Sequence, residues 1–337
     1  MTSPFSSKFA QLLQTFTEEE LKAFDAWLRS PWCNSNKNLP RLLAKLRKYY
    51  PDFENDRLTK EKLFYQVLPD GKFSARRMNN LLSEACLAAE QFLSFQRFRE
   101  EESLRKSLLL EDLSGRPLEN WFFKSAYQEI DRLEEREAKG WDAHLHLLRH
   151  YGRIYHYPSQ EARIQSGGSI LERMDEQLEL VYLLEKAAVI NEMIARNRIV
   201  RNERHDVQAA LAKWLAVSDG ARHPSIDLYR LRFDSGEELD LSQYQVLETR
   251  LREVFEQLSE KDQKIHLLSL LNDGMRLVKA GRLELPDMLP LYQLGLRTGI
   301  LLHEGKLSRN TYHHRHRRQY QGQLRLYPSR VLFRSDY

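Results

Sequence analysis

His146 and His150 stand four residues apart in the run HLLRH, with Asp142 one helical turn before them. Two imidazoles at that spacing share a helix face and can hold one zinc ion. The helical zinc-protease motif, however, needs a glutamate directly after the first histidine as general base, and Leu147 occupies that position. No third ligand beyond Asp142 is evident, so the favoured reading is a histidine pair on a solvated helix face, and no metal site is assigned. His313, His314 and His316 form a second group that suits adventitious metal affinity better than a built site. There is no GxSxG elbow. Gly167-Gly168 belongs to no phosphate-cradling motif and follows no strand, so it reads as a joint between helices. No catalytic residue and no cofactor is assigned.

Residues 59–97 offer another chemistry. A short helix, a turn with Pro69 and Gly71, and a helix opening Ser74-Ala75-Arg76-Arg77-Met78-Asn79-Asn80 have the order of a helix-turn-helix. Arg76, Arg77, Asn79 and Asn80 fall at the start of the second helix, where such motifs read base edges. A basic group at Arg41, Lys45, Arg47 and Lys48 adds to this. The turn is nevertheless longer than the ~3–4 residues of that motif. Nucleic acid is therefore the disfavoured partner, and solvated arginines are the simpler account.

A third set consists of polar residues that interrupt apolar helices. Asn272 and Arg276 lie four apart on one face, and Asn191 and Arg198 lie seven apart. In stacked helical hairpins one helix of each pair lines a groove, and polar side chains there grip partner peptides. The competing account is that these four bond to neighbouring helices, as buried amides generally do.

The elements that must position these residues are helices throughout. Thr17 and Glu20 form a capping box, and Leu21, Phe24, Trp27 and Leu28 follow on one face before Ser30-Pro31 stops the helix. Leu39, Leu42, Leu43, Leu46 and Tyr50 mark the next helix, closed by Pro51. Thr59 caps a short helix, and Ser74 caps a long one carrying Met78, Leu81, Leu82, Ala85, Ala89, Phe92 and Leu93. Residues 1–98 thus read as a helical module. Further helices are expected near Glu101–Ser114, Pro117–Ala138, Trp141–Tyr155, Ser169–Arg198 and Asp206–Val217. Ile226–Phe233, Leu241–Leu258, Lys261–Ala280 and Pro286–His303 complete the series. Strand signals amount to one or two short extended stretches at most.

Composition agrees. The 337 residues are 42% hydrophobic and 30% charged, with only 14 glycines and 11 prolines, which suits long helices. The net charge of +4 arises in the tail: residues 315–337 hold six arginines and only Asp336 as an acid, a balance of +5, which leaves −1 for the rest. The basic pI is thus no argument for nucleic acid. Two cysteines, Cys33 and Cys86, cannot form a disulfide framework and read as buried reduced thiols. The N-terminus lacks a signal-peptide pattern, and no apolar run approaches the ~20 residues that span a bilayer. A cytoplasmic setting with no membrane contact is expected.

The run TEEELKAFDAWLRSPWCNSNKNLPRLLAKLRKYYPDF and the following LTKEKLFYQVLPDGKFSARRMNNLLSEACLAAEQFL resemble the start of a family of uncharacterised bacterial all-helical proteins with tetratricopeptide-like repeats. The run LLSLLNDGMRLVKAGRLELPDMLPLYQLGLRTGILLHEGKLSRNTYHH is similar to their C-terminal half. The resemblance covers most of residues 15–312 and implies a fold, not an activity. After LSRNTYH the family pattern continues with helical units, whereas this chain turns into HRHRRQYQGQLRLYPSRVLFRSDY. The natural reading is expected to end near His314, with the remainder read-through or frame-shifted sequence. The array would then lack its capping end and expose apolar surface at Gly295–Leu302.

The expected fold is all-α: an N-terminal helical module (1–98), a tetratricopeptide-like hairpin solenoid (99–312) and an irregular basic tail (313–337). The expected function is non-catalytic binding of a protein or peptide partner, with Asn191, Arg198, Asn272 and Arg276 as contacts. The alternative is a DNA-binding regulator using residues 59–97. A third reading, an unrecognised hydrolase, would be favoured by a histidine-lined pocket at a hairpin junction.

Overall fold

The computed structural model describes residues 7–53, 58–69, 71–158, 169–199, 204–234, 239–303 and 306–307. The Gly167-Gly168 joint, His313, His314, His316 and the rest of the basic tail lie outside the described residues. Two units divide the chain, Met1–Leu109 and Leu110–Tyr337.

The first unit is built round its longest helix. Four helices, α1 (Lys8–Leu13), α2 (Glu18–Arg29), α3 (Asn38–Leu46) and α4 (Lys60–Val67), all pack against α5 (Ala75–Glu100). Thr17 and Glu20 close the capping box on α2, and Thr59 and Ser74 cap α4 and α5 through their hydroxyls. Met78, Leu82, Ala85, Ala89 and Phe92 form the inward stripe of α5, where alanine lets neighbouring backbones approach. The rings of Phe16 and Phe24 pack against Phe92 at 5.9 and 5.3 Å. Trp32, in the turn after α2, is 98% exposed. Cys33 lies in the same turn and Cys86 on α5; both are free and half-buried, not fully buried as the sequence suggests. Non-helical backbone at Glu101 separates α5 from α6 (Glu102–Ser114).

The second unit comprises α7 (Glu119–Glu134), α8 (Trp141–Tyr155), α9 (Ser169–Ile199), α10 (Val207–Ser218), α11 (Pro224–Asp234), α12 (Leu241–Val254), α13 (Glu260–Lys279) and α14 (Leu289–Arg297). Packing follows chain order: α7 on α8, α8 on α9, α9 on α10 and α11, α11 on α12, α12 on α13, and α13 on α14. Three apolar cores form in the same order. One draws on Leu110 to Ile170, the next on Leu180 to Phe233, and the last on Leu228 to Leu301.

Cross-helix contacts fix the direction of the helices. Glu185 pairs with Lys261, Asn191 with Ser269 and Arg198 with Asp273, so α9 and α13 run parallel. Ser225 meets His266 and Arg232 meets Asp273, so α11 runs parallel to them.

The C-terminal end corrects the sequence reading. Instead of one helix over Pro286–His303, a 3-10 turn at Leu285–Met288 leads into α14, which ends at Arg297. Gly299 takes φ +75, a conformation open to glycine that ends the helix. Leu301 then folds back and is 1% exposed, so Gly295–Leu302 does not present the open apolar surface expected of it. Leu302–His303 and Lys306–Leu307 pair antiparallel, with Leu302 opposite Leu307. They are the only strands among the described residues, and the fold is all-α. No described helix is long and apolar enough to cross a membrane.

Candidate functional site

The parallel alignment of α9, α11 and α13 brings three arginines to one carboxylate. Asp273 has a side chain 1% exposed, yet it sits on an otherwise apolar helix face. Arg232 of α11 pairs with its Oδ2 and is itself buried. Arg198 Nη1 of α9 lies 3.4 Å from Oδ1, and Arg276, one turn further along α13, contacts the same oxygen. Burial lowers the Arg232 pKa to about 10, because the charged form loses water. The Arg276 side chain keeps 43% of its surface in solvent, so the cluster runs from the core to the outside.

All four residues expected to contact a partner belong to this seam. Arg198 and Arg276 meet at Asp273, Asn191 Oδ1 accepts from Ser269 Oγ at 3.3 Å, and Asn272 is exposed beside Asp273. Sequence reasoning passed over Asp273 and Arg232. The signal for Asp273 was present, as an acid three residues before Arg276 on an apolar face. Arg232 had none, because its partner is 41 residues away.

A second polar group occupies the junction of α8, α9 and α11. His144 Nδ1 lies 2.7 Å from Gln177 Oε1. That oxygen can only accept, so Nδ1 carries the proton and Nε2 is a bare acceptor. His223 Nε2 donates to the Lys139 carbonyl at 2.8 Å, while its Nδ1 accepts from the Ser225 N–H at 3.2 Å. Both imidazoles are held neutral, and burial lowers both pKa values. They line a cavity of about 380 Å³, a histidine-lined pocket of the kind that would favour a hydrolase.

The one serine–histidine pair nearby is not suited to that chemistry. Ser225 Oγ lies 2.7 Å from His266 Nε2, but Ser225 is 0% exposed and does not line the cavity. Burial pushes the His266 pKa down to about 3. A general base works best with a pKa near the operating pH, and a nucleophile must reach its substrate. This pair is a core hydrogen bond.

His146 and His150 do not share a solvated face. His150 is 0% exposed, neither ring nitrogen has a partner among the described residues, and burial lowers its pKa to about 4. The sequence reading fails because α7 and α9 both cover α8, which leaves it little open surface. Asp142 is exposed. Among the described residues no three His, Cys, Asp or Glu side chains gather as metal ligands.

In the first unit, Arg76, Arg77, Asn79 and Asn80 are all exposed on the first turns of α5. The Arg77 guanidinium lies over the Phe64 ring at 5.8 Å, and Asn79 Oδ1 accepts from Lys60 Nζ at 3.0 Å. Residues 68–74 separate α4 from α5, a longer connection than the ~3–4-residue turn of a helix-turn-helix. No family model, no curated protein and no solved structure matches this chain.

Proposed function

We propose that the second unit is a tetratricopeptide-like array of helical hairpins that binds a peptide or helix of a protein partner without catalysing a reaction. The observation that carries this reading is the packing order: each helix rests on the next along the chain, and α9, α11 and α13 run parallel, as alternate helices of stacked hairpins do. Asn272 and Arg276 supply the grip at the open end of the polar seam. Asp273 fixes the Arg276 guanidinium in place, so little side-chain freedom is lost when it meets a backbone carbonyl or carboxylate of the partner. Asn191 and Arg198 continue the contact along α9. The same reading places the protein with the bacterial helical-repeat family it resembles, in the cytoplasm, where its two thiols remain reduced.

The test is selection from a displayed peptide library against the full chain. An enriched peptide family is expected, with binding weakened about tenfold or more by Asn272→Ala with Arg276→Ala, the share a polar hot spot carries. Both positions are exposed, so the fold survives the change. Failure to enrich any peptide, or undiminished binding by the double variant, would overturn the reading.

A further inference from the structure

The cavity beside His144 is separate in its lining from the α9–α13 seam, and the peptide-binding reading does not use it. Its floor combines apolar contact from Leu147, Leu180 and Pro224 with His144, Gln177 and His223. At about 380 Å³ it falls within the ~300–1,000 Å³ of small-molecule sites. His144 is 5% exposed, and its Nε2 has no hydrogen-bond partner among the described residues. A buried acceptor left in that state costs about 1–3 kcal/mol, which a donor on a ligand would relieve.

The rim carries both signs of charge. Glu134 and Arg173 pair with each other at 2.7 Å. That leaves Glu137 and Glu176 as further acids, and Lys139 and Arg222 as further bases. Glu137, Glu176 and Arg222 are exposed. A ligand with a single charge would meet its own sign somewhere on such a rim. A molecule with both charges meets a partner for each.

We propose that this cavity binds a small zwitterion of the amino-acid or dipeptide class. Its ammonium group faces Glu176 and Glu137, its carboxylate faces Arg222 and Lys139, and its side chain covers Leu147, Leu180 and Pro224. The neutral His144–Gln177 pair supplies a hydrogen-bond acceptor in the floor.

Calorimetric titration of the full chain with single amino acids and dipeptides, beside their N-acetylated and C-amidated forms, tests the proposal. At least one zwitterion is expected to bind, and blocking either end should weaken it about tenfold or more, the worth of one charge-assisted hydrogen bond. Glu176→Gln and Arg222→Ala should each do the same, while Asn272→Ala with Arg276→Ala should leave this binding unchanged. No binding by any zwitterion, or equal binding by the blocked forms, overturns the proposal without touching the peptide-binding reading.

Discussion

Removing the carboxylate of Asp273 would strand the Arg232 guanidinium in the core, because Arg232 is 7% exposed and its Nη1 is bonded to Asp273. Loss of one partner from a buried ion pair costs about 3–5 kcal/mol, whereas replacing both by apolar residues is often neutral. Asp273→Ala is therefore expected to lower the unfolding free energy in urea by about that amount. Arg232→Met combined with Asp273→Leu should recover most of it. A loss under about 1 kcal/mol for the single variant would remove the claim that this pair anchors α11 to α13. At this scale the sequence was only partly legible. Asn272, Asp273 and Arg276 lie within five consecutive positions, so their common face follows from helical spacing. Arg198 and Arg232 are far from Asp273 along the chain, and a single sequence carries no signal for such meetings.

Helices were more legible than the contacts between them, because their boundaries are set by local chemistry. The capping residues Thr17, Thr59 and Ser74 each make the hydroxyl bond their position implies, and α8 spans Trp141–Tyr155 as read. The turn at Gly299 was missed because glycine in a helical pattern signals only weakly whether it will take positive φ. Gly274 shows a different use of glycine, within α13. A Cβ there would lie 2.7 Å from the Tyr244 hydroxyl and 2.8 Å from Met288 Cε. Propensity alone favours alanine in a helix by about 1 kcal/mol. Crowding in a packed core costs about 1–3 kcal/mol, so packing should win. Gly274→Ala is expected to lower the melting temperature; a rise would mean that α12 and the turn at Met288 yield without cost.

For the molecule as a whole, the buried imidazoles predict an acid sensitivity. His144, His146, His150, His223 and His266 all have pKa values lowered by burial. The unfolded chain therefore binds more protons than the folded one once the pH drops below about 6.5, and stability falls with pH. The loss continues toward about 4, where His150 titrates, and about 3, where His266 does. Asp262 and Glu248, whose pKa values burial raises, oppose this only nearer the carboxylate range. Urea midpoints measured from about pH 7.5 to about 5 should drop steadily, and His150→Leu should reduce the slope. A flat profile would show that these rings gain partners when charged. The sequence misjudged His150 because helix faces are assigned by pattern, and α8 is enclosed by helices on more than one side.

The ties from α9 to α13 have a consequence for how the second unit comes apart. An array held only by contacts between adjacent repeats can fray from an end, one repeat at a time. Glu185 with Lys261, Asn191 with Ser269 and Arg198 with Asp273 bypass the intervening helices. Opening the hairpin of α11 and α12 would also sever Arg232 from Asp273 and Ser225 from His266. The stretch from α9 to α13 is thus stitched into a single cooperative block, whose backbone amides exchange with solvent together.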